Sequence, residues 1–224
     1  MIDPNRLKSI KLIFEDEDII VVNKPSNMAV HGGAAIDRKG TLFDILQQLS
    51  SQRLYPVHRL DKATSGLVVL AKNADTVKKL GQTWEQSEKV YYAWVFGKSE
   101  PRTITLDIDG QPAKTEIIGT RKLYDRPNIS ELEIKLWTGR THQIRRHLKA
   151  ENLAVVMDDK YGDFRDNKAF RQQMKAMELS ISKKTLFLHA GRLRIAGRET
   201  EFTCDVPELW RKCATKLGSQ AGNL

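Results

Sequence analysis

The sequence contains no apolar run long enough to cross a membrane. Its apolar runs, such as Ile19–Val22 and Leu67–Ala71, fall far short of the roughly 18 residues a spanning helix needs. The stretch from Met1 to Ile10 carries no apolar signal region. Only two cysteines occur, Cys204 and Cys213, with no CxxC spacing. This excludes a disulfide framework and fits ordinary thiols in a reducing compartment, hence the cytoplasm. No GxGxxG is present, so a dinucleotide cofactor is unsupported, and no GxSxG marks a serine nucleophile. Gly97-Lys98-Ser99 resembles the end of a phosphate-binding loop, but Tyr92 stands where that motif requires its first glycine. His142 and His147 are five apart and do not share a helix face, and the other histidines are scattered. No metal site is expected, and no cofactor.

What is present is a 224-residue chain, 40% hydrophobic, which is enough to bury a core and rules out disorder as its main character. Lysine and arginine total 37 against 28 acidic residues, a net charge of +9 and a pI near 9.5. That balance favours a polyanionic partner such as nucleic acid. The chain reads as one domain over residues 1–224, with tails at 1–9 and 218–224.

Leu12–Phe14 and Ile19–Val22 read as two strands across the acidic turn 15–18, and Pro25 breaks the second. His31-Gly32-Gly33 reads as a flexible loop. Residues 41–49 form a predicted helix with Thr41 as N-cap. Leu67–Ala71 is a compact strand, and Asn73 or Asp75 caps a helix running to about Gln86. Val90–Phe96 and residues 103–108, 113–118 and 130–136 read as strands, the last three alternating as antiparallel strands with one wet face do. A basic helix is predicted over 141–150 with Thr141 as cap. A loop and surface helix follow over 164–180, then strands at 186–188 and 193–195 and a helix over 207–217 opened by Pro207. Strands come in runs, so the fold class is α+β, a mainly antiparallel mixed sheet flanked by helices.

Two segments concentrate chemistry. The first, His58-Arg59-Leu60-Asp61-Lys62-Ala63-Thr64-Ser65-Gly66, crowds an acid, bases and hydroxyls into a loop before a buried strand. It reads equally as a solvated turn with Asp61 capping and Gly66 supplying a positive φ. The second, Thr138 to His147, brings arginines to a helix N-terminus. Cations there oppose the helix dipole unless an anion such as phosphate binds. The competing reading is a solvated basic face.

His58 to Gly66 closely resembles the central motif of the RluA-type pseudouridine synthases. Other stretches match that family in the same order: Asp18 to Pro25 with the loop Val30–Gly33, Lys89 to Ala93, Thr138 to Arg145, Asp159 to Asp163, and Leu186 to Ala190. Coverage is roughly residues 10–210. The Ala29–Gly33 loop and the Asp158–Gly162 stretch look most like the C type, which modifies large-subunit ribosomal RNA. Such enzymes usually carry an N-terminal S4 domain. The stretch before Leu12 is too short for one, so the expectation is a catalytic domain alone.

The resemblance implies a pseudouridine synthase catalytic fold with a central RNA-binding cleft, and Asp61 as nucleophile in the conversion of uridine to pseudouridine. It assigns Arg145 as the cation that keeps Asp61 ionised, Tyr91 as the ring that stacks on the base and assists loss of the C5 proton, and Ile144 as an apolar wall. Tyr92 competes with Tyr91, but the Lys-x-Tyr-x-Ala spacing selects Tyr91. Arg59 would enter the RNA stack as the target base flips out. Lys24, Arg140 and Arg146 are candidate phosphate contacts, and His58 a further RNA contact. The implied partner is RNA, large-subunit ribosomal RNA first and transfer RNA second, met by a monomer with no membrane association. A non-catalytic RNA-binding module and a hydrolase releasing free uracil are the competing classes.

Overall fold

The computed structural model describes residues 3–32 and 40–218. Gly33, part of the predicted glycine loop, and the tail beyond Gly218 lie outside them. The helices are α1 (Pro4–Ser9), α2 (Leu42–Leu49), α3 (Ala74–Thr83), α4 (Gln143–Ala150), α5 (Phe164–Ala176) and α6 (Glu208–Lys216). The strands are β1 (Lys11–Glu15), β2 (Ile19–Lys24), β3 (Tyr55–Pro56), β4 (Ser65–Ala71), β5 (Glu88–Phe96), β6 (Arg102–Thr105), β7 (Lys114–Asp125), β8 (Asn128–Leu136), β9 (Leu188–Arg194) and β10 (Glu201–Thr203). The class is α+β, with antiparallel ladders wherever register is described. The chain forms two compact units, Met1–Glu88 with Ala190–Cys204, and Lys89–His189 with Asp205–Leu224.

In the first unit the strand order is β1-β2-β4-β9, with β3 on β4 and β10 on β9. β2 and β4 pair along their whole length, from Ile19 opposite Ala71 to Lys24 opposite Gly66. Every residue of β4 is buried, and all of β2 except Asn23, so both read as near-continuous apolar runs rather than alternating ones. Asp16 closes the β1–β2 turn by accepting the Asp18 and Ile19 N–H groups at 2.8 Å. Ile19, Val21, Leu67, Val69, Leu193 and Phe202 pack as one cluster, each contributing about 2 kcal/mol of burial. Thr41 caps α2 through the Asp44 N–H, and Asn73 caps α3 through the Thr76 N–H, as predicted.

In the second unit the order is β5-β8-β7-β6. Trp94 stacks on Phe187 at 4.8 Å, Trp210 packs against both rings, and Phe170 meets Phe187 edge-on. These rings tie β5 to α5 and α6 in a single core cluster that also takes in Met174 and Cys213.

Four expectations are corrected. Residues 4–9, read as tail, form α1, with Asp3 as N-cap and Pro4 in the first turn. The strands expected at 186–188 and 193–195 are one strand, β9. α4 begins at Gln143, not Thr141: His142 holds the cap position in a left-handed conformation, φ 54°. Pro207 is the N-cap of α6 rather than a residue of its first turn.

Candidate active site

Asp61 opens a turn in the first unit. The Thr64 N–H donates to the Asp61 carbonyl at 3.1 Å, and the next two carbonyls are held by the end of β2 and the loop that follows it. Ser26 Oγ donates to Ala63 O at 2.6 Å, and Lys24 Nζ to Lys62 O at 3.3 Å. The chain then enters β4 through Gly66, φ 118°, where a Cβ would lie 2.3 Å from Ala190 O. Only glycine fits there. The Asp61 carboxylate is thus carried, half-buried, on a turn fixed at both ends.

Lys24 is not the phosphate contact its charge suggested. It is fully buried, and its ammonium donates to Pro25 O at 3.0 Å, Met28 O at 2.8 Å and Lys62 O. Those three bonds use all three of its donors. Burial pushes its pKa down to about 7, and the Asp61 charge works against that fall. Lys24 is a buried amine under the Asp61 turn, coupled electrostatically to Asp61. His58 is also better described as a brace than as an RNA contact. Its Nε2 accepts the Val69 N–H at 3.1 Å, and its ring stacks on Trp84 at 4.4 Å. Arg59, the next residue after His58, is exposed.

The second unit carries the remaining candidates. Tyr91 is buried, opposite Ile134 on β8. Tyr92 points to the other face of β5 and packs against the core cluster that contains Trp94. Ile144 and Arg145 lie in the first turn of α4, and both are buried. The loop before α4 is locked by Gln143. Its Oε1 accepts from Thr138 Oγ at 2.7 Å and from Arg140 N at 3.0 Å, while its Nε2 donates to Lys114 O and Thr115 Oγ on β7.

Arg145 meets a partner the sequence reading did not assign to it. Its Nε donates to Asp158 Oδ2 at 2.7 Å and its Nη2 to Oδ1 at 2.8 Å. Burial pushes the Asp158 carboxyl upward, but Arg145 and the N–H groups of Tyr161 and Lys160 more than offset this, and its pKa is lowered. The Arg140 side chain makes a long contact from Nε to Pro112 O, 3.4 Å. Arg146 pairs with the exposed Asp109 at 3.0 Å, a contact weak in water and easily exchanged for a phosphate. Asp158 and Gln143 lie in stretches that resemble the family but were given no role there, and Ser26 has ordinary polar character in the sequence; their hydrogen bonds are what distinguish them. Among the described residues no cluster of three or more histidine, cysteine or acidic side chains could hold a metal ion, and no helix is long and apolar enough to cross a membrane.

An aspartate turn braced by a buried lysine and an arginine locked to a buried carboxylate lie within or beside the stretch that comparison with known families picks out. The chain belongs to the RNA pseudouridylate synthase family, whose profile matches residues 18–150. It is 32% identical over 215 residues to Ribosomal large subunit pseudouridine synthase C of Pasteurella multocida (strain Pm70), covering 85% of this chain and 61% of that protein. It is 28% identical over 242 residues to tRNA pseudouridine synthase C of Pectobacterium carotovorum subsp. carotovorum, covering 93% of this chain and 62% of that protein. The chain therefore spans about three-fifths of the length of these curated relatives. The structure of Human RNA Pseudouridylate Synthase Domain Containing 4 covers 95% of both chains with a TM-score of 0.74 at 24% identity, and shares the fold.

Proposed function

We propose that this chain carries the catalytic domain of an RNA pseudouridine synthase, acting on uridines of large-subunit ribosomal RNA in the cytoplasm. The observation that carries the proposal is the Asp61 turn. Lys24 and the Ser26 hydroxyl hold the two carbonyls that follow Asp61, and the Asp61 charge interacts with the buried Lys24. The basic excess and the exchangeable Arg146 pair support an RNA partner, and two cysteines outside any disulfide support a reducing compartment.

In this reading Asp61 attacks ribose C1′, or removes a ribose proton to open a glycal route. The C1′–N1 bond breaks, the base turns, and C1′ joins C5. The C5 proton is lost and N1 gains one, so the product is an isomer and no oxidant, reductant or water is consumed. Arg145 serves Asp61 as its cation. Tyr91 stacks on the base and assists C5 deprotonation, Ile144 walls the base, Arg59 enters the vacated stack, and Arg140 and Arg146 hold phosphates. Transfer RNA is the second substrate reading, favoured by the relative named for it.

Incubating the protein with ribosomal and with transfer RNA, then digesting to nucleosides, tests this. Pseudouridine from ribosomal RNA is expected. Free uracil would indicate a hydrolase, and unaltered RNA a binding module.

A further inference from the structure

We infer that Asp158 and Tyr161 are positioning residues for Arg145. The inference rests on the reading of Arg145 as the cation that serves Asp61. Three constraints act on the Arg145 side chain. Asp158, its side chain fully buried, takes the Nε–Nη2 edge in a bidentate pair, which sets both the plane and the rotation of the guanidinium. The Tyr161 ring lies 5.1 Å from Arg145 Cζ and supports that plane from one face. The Tyr161 hydroxyl is 2.9 Å from His142 Nδ1, and His142 is the cap residue of the helix that carries Arg145. The ring is therefore tied to the start of the element it helps to aim.

The loop bearing Asp158 and Tyr161 is built to hold still. Asp158 Oδ1 also accepts the N–H groups of Lys160 and Tyr161, at 3.0 and 2.9 Å. Asn167 receives the Met157 N–H at 2.7 Å and donates to Asp158 O at 2.8 Å. Met157 adopts a positive φ, 64°. Gly162 follows where a Cβ would lie 2.2 Å from Asp158 O. Fold stability alone does not call for such a set, since a packed apolar pair is commonly as stabilising as a buried ion pair. What the arrangement adds is a single orientation for one guanidinium, and sub-ångström placement of a charge beside a reacting carboxylate is worth large factors in rate.

The test compares single-turnover rates at saturating RNA, RNA dissociation constants and thermal unfolding midpoints for the wild type and four variants. Tyr161→Leu leaves the ion pair intact and removes the ring. It should slow turnover roughly tenfold while the dissociation constant stays within about twofold, and Tyr161→Phe, which keeps the ring, should stay within about threefold of wild type. Asp158→Asn should slow turnover roughly a hundredfold, with Asp158→Glu recovering part of the loss because it keeps the charge. A Tyr161→Leu protein that folds and binds as wild type and turns over within about twofold of it would overturn the inference, as would a loss confined to the dissociation constant. If the Asp158 variants fail to fold, the Tyr161 pair decides. A wild-type protein that forms no pseudouridine from any RNA would overturn the proposed function and this inference with it. An active wild type beside an equally active Tyr161→Leu overturns this inference alone.

Discussion

Lys24 carries the sharpest difference between charge as read from a sequence and charge as placed in a fold. Nothing in Asn23-Lys24-Pro25 distinguishes a buried lysine from a surface one. The distinction comes from the depth of the β2 terminus and from three carbonyls that converge on Nζ. Lys24→Met should lower stability by about 1–3 kcal/mol, because those carbonyls lose their donor. It should slow turnover yet leave the salt dependence of RNA binding unchanged, since the ammonium reaches no phosphate. Its pKa falls from 10.5 to about 7, so between those values the folded protein holds fewer protons than the unfolded chain. This group therefore adds stability as pH rises through that window, and Lys24→Met should flatten the rise. Urea midpoints at pH 7.5 and 9.5 would measure it. Strand alternation puts Tyr91 and Tyr92 on opposite faces of β5, and the Lys-x-Tyr-x-Ala resemblance is what chooses Tyr91 for the site. Tyr92 belongs to the core cluster, so Tyr92→Phe should be mild and Tyr91→Phe should slow C5 proton loss. The reverse ranking in a rate assay would place the site on the other face of β5.

At the scale of elements, apolar runs and caps were readable where one local rule governs. β2, β4, α2 and α3 follow from burial on both faces or from a single side-chain cap. Elements set by partners were not. β3 and β10, two and three residues long, exist only because β4 and β9 offer them ladders. β9 runs through His189 and Arg192, polar residues that split it into two in the sequence. The start of α4 is set by Gln143 and a left-handed His142, neither of which follows a capping rule. The motif around Asp61 was legible as a crowded loop. Its support from the Pro25–Ser26 loop was not, because that support comes from 37 residues away. Gly66→Ala should destabilise the first unit by about 2–4 kcal/mol, through strain at φ 118° and the clash with Ala190 O. A urea titration would show it as a lower midpoint with an unchanged slope.

For the whole molecule the net charge of +9 frames recognition of a polyanion. Arg140→Gln and Arg146→Gln should each reduce the slope of log affinity against log salt by about one, whereas the buried Lys24 should not enter that count. The central claim, that Asp61 drives a rearrangement of uridine in which C5 loses its proton, is tested most directly with RNA carrying tritium at C5 of its uridines. The wild type should release tritium into water in step with the pseudouridine it forms. Asp61→Asn, folded and binding RNA as before, should release none, because a carboxamide keeps the shape of the side chain but neither attacks C1′ nor takes a ribose proton. Tritium release by Asp61→Asn at more than a few per cent of the wild-type rate would contradict the account.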